Sequence, residues 1–158
     1  MVIDIISYAD AQFSGLTSEQ LLEVKNVQAK KDRLTERLAE DKRSEKYRLI
    51  AAGTFRSSIY QKICEVLDKA YEREVEILRE GLLFYLQFSG MSTDKMPPYT
   101  VDFSLSYEER VRVVVDYYEE AYASPYERYV AFKLDEFAKG YLGEYYAATF
   151  DYFAVQAG

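Results

Sequence analysis

From Phe55 onward, apolar residues recur every three or four positions. Phe55, Ile59, Ile63, Val66, Leu67, Ala70, Tyr71, Val75, Leu78, Leu82 and Leu86 make one stripe. That period belongs to an amphipathic helix, and it predicts a helix over 55–89 closing at Ser89-Gly90. Gly81 lies inside this stretch and costs roughly 1 kcal/mol relative to alanine. The stretch before it has the opposite character. Thr17-Ser18-Glu19-Gln20 fits a capping box, and Leu16 with Leu21 fits a hydrophobic staple. A helix is therefore predicted over 18–52, ending at Gly53. Between Val27 and Tyr47 its only large apolar residues are Leu34 and Leu38. Such a helix cannot bury a broad face, so most of its middle meets solvent or a partner. The two long helices predict an antiparallel hairpin.

The flanking segments are shorter. Val2, Ile5, Ile6, Ala9 and Phe13 share a helical face, which predicts a short helix over 2–13 before Gly15. Pro97-Pro98 cannot continue a helix. Beyond them Tyr99, Val101, Phe103 and Leu105 alternate with Thr100, Asp102, Ser104 and Ser106. A period of two predicts a short strand or extended arm, which pairs with another copy or lies across helices. Capping boxes at Ser106–Glu109 and Ser124–Glu127 open helices running to about Ala123 and Gly140, the second with Pro125 at its first position. A last helix is predicted from Tyr141 to about Ala154. The fold class read from this pattern is all-α, a helical bundle of about five or six helices with a long hairpin and an extended arm around 99–105. It is read as one domain over 1–158: a hairpin part at 1–90, a proline-containing linker at 91–106 and a tyrosine-rich part at 107–158.

Charge changes the picture because it is unevenly placed. The chain of 158 residues carries a net charge of −7. Residues 25–48 hold 9 basic against 5 acidic residues, whereas residues 91–158 hold 6 against 12, together with 11 of the 16 tyrosines. A basic helix and an acidic, tyrosine-dense end mark surfaces that contact something. Nucleic acid is the weaker partner reading, because the whole molecule is acidic and acidic residues interrupt the basic helix. No apolar run approaches the ~20 residues needed to span a bilayer, so no membrane partner is expected. Met1 to Phe13 contains Asp4 and Asp10 and no basic residue, unlike a secretory signal, and the expected location is the cytoplasm.

Catalytic chemistry has little to work with. The chain has no histidine, which removes the commonest general base and metal ligand. Cys64, the one cysteine, sits among Ile63, Val66 and Leu67 and reads as a buried structural thiol. No phosphate-binding glycine loop, zinc spacing or calcium loop is present. An all-carboxylate site would have to draw on Asp116, Glu119, Glu120, Asp135 and Glu136, and these read instead as a solvated acidic face. No catalytic, cofactor or metal residue is assigned, and the expectation is a protein that is not an enzyme.

Three contact surfaces are predicted. The basic helix offers Lys30, Lys31, Arg33, Arg37, Lys42, Arg43 and Arg48. The acidic tyrosine face offers Glu108, Glu109, Asp116, Tyr117, Tyr118, Glu119, Glu120, Tyr122 and Glu127. The arm offers Tyr99, Val101 and Phe103. The function expected is assembly through contacts with other protein chains, as a subunit of a homo-oligomeric ring or larger complex. The order of helices resembles that of small ring or connector proteins of tailed-phage particles, a likeness of helical order with no shared motif. A second reading is an acidic inhibitor or regulator of a nucleic-acid-handling protein. It requires Glu108, Glu109, Asp116, Glu119, Glu120 and Glu127 in an exposed array without basic neighbours. The third is an enzyme that works through carboxylates alone.

Overall fold

A computed structural model describes residues 2–90 and 96–158. Of the predicted linker, residues 91–95 lie outside the described residues. All regular structure among the described residues is helical, with no strand among them. It divides into two compact units, Met1–Leu86 and Gln87–Gly158.

The first unit contains α1 (Asp10–Ser14), α2 (Ser18–Ala51) and nearly all of α3 (Ser57–Phe88). The predicted capping box forms: the Thr17 amide donates to Gln20 Oε1 at 2.9 Å and the Gln20 amide donates to Thr17 Oγ1 at 3.2 Å. Gly53, at φ 66°, turns the chain out of α2. There the Thr54 amide donates to the Leu49 carbonyl. α2 and α3 run antiparallel, as cross-links fix: Thr35 Oγ1 lies 2.8 Å from the Tyr71 hydroxyl and Lys42 Nζ 2.5 Å from Asp68. The core gathers Ile5, Ile6, Val24, Val27, Val75 and Leu82. It lies toward the start of α2 and the end of α3, because the polar middle of α2 gives the stripe of α3 little to pack on. For the same reason Cys64, expected in the core, is only half-buried.

The predicted helix over 2–13 is reduced to Asp10–Ser14. Gln28 is the cause. It is buried, and its Oε1 accepts from the Asp4 amide at 3.0 Å and the Ile5 amide at 2.9 Å, while its Nε2 donates to Asp4 Oδ1 and Asp32 Oδ1. Amides satisfied from outside the segment need no helical turn, so residues 2–9 lie against the hairpin without one. Arg79 Nε donates to the Ile5 carbonyl at 2.9 Å, and Lys31 pairs with Asp4 at 2.8 Å. This leaves Ile5 and Ile6 in the core while Val2 is exposed.

The second unit contains α4 (Tyr107–Ala121), α5 (Pro125–Lys133), α6 (Glu136–Leu142), a 3₁₀ turn at Gly143–Tyr145 and α7 (Tyr146–Ala157). Ser106 and Glu109 form the predicted capping box of α4. Ser124 precedes α5 with Pro125 in place, but its side chain makes no capping bond. The predicted helix over 124–140 is broken at Leu134 and Asp135. Asp135 Oδ1 accepts from the Phe137 and Ala138 amides and starts a new helix there. The predicted final helix from Tyr141 is interrupted by Gly143 at φ 55°, so α7 begins only at Tyr146. α5 and α7 pack through Tyr129 on Phe150 and Phe132 on Tyr146 and Phe153, with ring centroids 5.0–5.4 Å apart.

The arm lies across its own helices. Tyr99 is buried and Val101, Phe103 and Leu105 are half-buried, while the residues between them are exposed. The period of two is thus expressed in burial without a strand. The Tyr141 hydroxyl lies 3.2 Å from both the amide and the carbonyl of Asp102, and the Phe103 ring meets the Tyr141 ring edge-on.

Candidate functional site

Two surfaces stand out, one in each unit. The first is the turn end of the hairpin. Tyr47 and Ile50 are three residues apart on one face of α2 and are 64% and 51% exposed. Ile59 and Val66, seven apart on one face of α3, are also exposed, as is Phe55 in the turn. Apolar side chains left in water at this density mark a contact surface. Residues 43–62 carry five basic residues, Arg43, Lys46, Arg48, Arg56 and Lys62, against the single acid Glu45. Arg48 is tied to Glu45 by two hydrogen bonds, and that carboxylate raises its pKa. The other four form no ion pair among the described residues.

The second surface is a groove of about 370 Å³ between α4 and α7. Val111, Val115, Ala148 and Thr149 line it together with Glu108, Arg112 and Asp116, and its walls are mainly apolar. The stacked Tyr107 and Tyr145 rings, 5.2 Å apart, stand at one end. At the other the Tyr152 hydroxyl donates to Glu119 Oε1 at 2.7 Å, and this bond raises the Tyr152 pKa. The other side of α4 faces the interior, where Val114 and Tyr118 are buried.

That interior is held by two buried polar residues which the sequence pattern did not single out for this task. Asp135 Oδ2 accepts from the Tyr99 hydroxyl at 2.6 Å and the Tyr118 hydroxyl at 2.8 Å. Burial, then the hydrogen bond to this carboxylate, pushes both tyrosines far above the ordinary phenol range. Arg110, 4% exposed, donates to the carbonyls of Leu105, Phe103 and Tyr141 and lies against the Phe103, Tyr107 and Tyr141 rings. Every described buried side-chain nitrogen and oxygen has a partner. Both residues are structural anchors of the arm and of α4.

The predicted surfaces fare differently. In the basic helix Lys31 and Lys42 are engaged within the chain, by Asp4 and Asp68, and the bond to Asp68 raises the Lys42 pKa. Arg37 pairs with Asp41 and Arg48 with Glu45 along the helix. Lys30, Arg33 and Arg43 are exposed and form no ion pair among the described residues. On the acidic face Tyr118 is buried, and Tyr117 and Tyr122 are half-buried against it. Glu109 is used in the α4 cap, Glu119 holds Tyr152, and Glu108, Asp116, Glu120 and Glu127 are exposed. Of the arm, Tyr99 and Phe103 face their own unit. Asp116, Glu119, Glu120, Asp135 and Glu136 do not converge, and no group of three or more carboxylates or cysteines able to hold a metal ion occurs among the described residues. No described helix is long and apolar enough to cross a membrane.

The turn-end residues Ile50, Phe55, Ile59 and Val66 were not assigned a contact role from sequence, although the signal was there. The apolar stripe of α3 continues past the point where α2 stops offering apolar partners. Compared with family models, with curated proteins and with solved structures, the chain has no match.

Proposed function

We propose that this chain is a non-catalytic assembly subunit that associates with further copies of itself, in a ring or larger helical particle. The observation that carries the reading is the turn end of the hairpin, where exposed apolar side chains stand among five basic residues, of which only Arg48 forms an ion pair among the described residues. A surface of this kind is stabilised when an apolar, acidic surface covers it. The same chain holds a surplus of acid in residues 91–158, so a second copy supplies what the first lacks. Contact between unlike patches closes into a ring or extends into a filament.

The inhibitor reading has weaker support. Arg112 lines the groove beside Glu108 and Asp116, and Glu109 and Glu119 are engaged by Ser106 and Tyr152. A phosphate-like array free of basic neighbours is therefore interrupted.

Mass in solution tests the assembly reading. Light scattering after size exclusion at low salt is expected to give a mass well above 18.4 kDa. The mass should fall toward the single chain in 1 M salt, where the screening length shrinks from ~10 Å at 0.1 M to ~3 Å. A single chain at both salts, across micromolar concentrations, refutes it.

A further inference from the structure

We propose that the turn end of the α2–α3 hairpin of one copy seats in the α4–α7 groove of the next copy. The inference rests on the assembly reading and names its two contact surfaces. Each surface lacks what the other offers. The groove is walled by Val111, Val115 and Ala148 and has no apolar occupant of its own. Ile50, Phe55 and Tyr47 stand in water. The signs of charge are opposite: five bases against one acid over residues 43–62, and Glu108 and Asp116 with Glu119 against Arg112 around the groove. The dimensions agree as well. From Glu108 to Asp116 is eight residues of helix, or about 12 Å, which is the ~10–12 Å width of one helix with its side chains. The groove therefore takes the α2 side of the tip, Tyr47 and Ile50 with Phe55 of the turn, and leaves α3 outside it. The rim carboxylates meet Arg43, Lys46 and Arg56, and the apolar side chains reach the floor. Because the two patches differ, every copy offers one tip and one groove, and the contact repeats from copy to copy.

The test uses two variants of the full chain. Tyr47→Ser with Ile50→Glu spoils the tip at two residues that are more than half exposed, so folding is retained. Ala148→Arg fills the groove from an exposed position and places a cation where the basic tip would land. Should that variant fail to give the wild-type circular dichroism, Glu108→Lys with Asp116→Lys replaces it. Each variant alone is expected to self-associate at least ~30-fold more weakly than the wild type, the effect of losing one central contact residue. Mixed, they are expected to form a one-to-one complex and nothing larger, because only one intact tip and one intact groove remain. If the groove variant alone associates like the wild type while the tip variant does not, the contact joins tip to tip and the groove is overturned as the site. If both variants associate like the wild type, this docking falls and the assembly reading stands. If the wild type is a single chain, assembly itself fails. In that case tip-dependent binding to vesicles of anionic lipid would identify a membrane surface as the occupant instead.

Discussion

Replacing Asp135 by alanine should be the most damaging single change in the second unit. Its carboxylate does two things at once. One oxygen caps α6 through the Phe137 and Ala138 amides, and the other receives the buried hydroxyls of Tyr99 and Tyr118. Loss of an N-cap side chain costs about 1 kcal/mol. Each buried hydroxyl left without a partner costs about 1–3 kcal/mol more. The sum is about 3–7 kcal/mol, against a total stability of ~5–15 kcal/mol for an ordinary domain. The second unit should therefore lose most of its cooperative transition. The experiment is urea denaturation followed by tyrosine emission, which reports mainly on residues 91–158 because 11 of the 16 tyrosines lie there and the chain has no tryptophan. A background of Tyr99→Phe with Tyr118→Phe supplies the decisive comparison. With the hydroxyls gone, Asp135→Ala should cost only the cap, about 1 kcal/mol. Equal costs in the two backgrounds would refute the reasoning, and so would a cost below about 1 kcal/mol in the wild type.

Gln28→Leu should free residues 2–9 from the hairpin, since it leaves the Asp4 and Ile5 amides without an acceptor at about 1–3 kcal/mol each. Amide exchange at Asp4 and Ile5 should accelerate at least tenfold while the α4–α7 amides keep their wild-type rates. Alkali should unfold the second unit. Tyr99 and Tyr118 have folded pKa values raised above the ordinary 10.0, so their contribution is whole below pH 10 and falls as pH rises, when the unfolded chain releases protons that the folded chain keeps. Absorbance of phenolate should show these two tyrosines ionising only together with loss of helix by circular dichroism. Independent ionisation near pH 10 would contradict the buried network.

The sequence was most legible where local signals agree with each other. Thr17 and Gln20, Ser106 and Glu109, and the three-four spacing of α3 each specify a helix from within a few residues, and the structure has those helices within two residues of the expected bounds at most ends. The failures share one cause. Residues 2–9, Asp135 and Gly143 are decided by groups distant in sequence or by a competing local bond. Gln28 takes over the amides of Asp4 and Ile5 from 24 and 23 positions away, which no periodicity reveals. Asp135 looked like one more member of an acidic face, yet two tyrosines from elsewhere in the chain bury it. The contact surface was half legible. The surplus of base in α2 can be counted from sequence, but Lys31 and Lys42 are taken by Asp4 and Asp68, and only tertiary structure reveals that. The exposed apolar end of the hairpin was implicit in the mismatch between a rich stripe on α3 and a poor one on α2.

The docking of the N-terminal segment also orders events during synthesis. Ile5 is made well before the partners that hold it: the guanidinium on its carbonyl belongs to Arg79, 74 positions later, and its apolar neighbours Val75 and Leu82 come equally late. At ~5–20 residues per second, Ile5 and Ile6 wait roughly 4–15 s on the ribosome before those partners emerge. This segment, made before both helices on which it docks, is thus among the last parts of its unit to lock. In that interval two adjacent isoleucines are open to a chaperone or to a neighbouring chain, and Gln28, made about a second or more after them, is their first opportunity for a native tether.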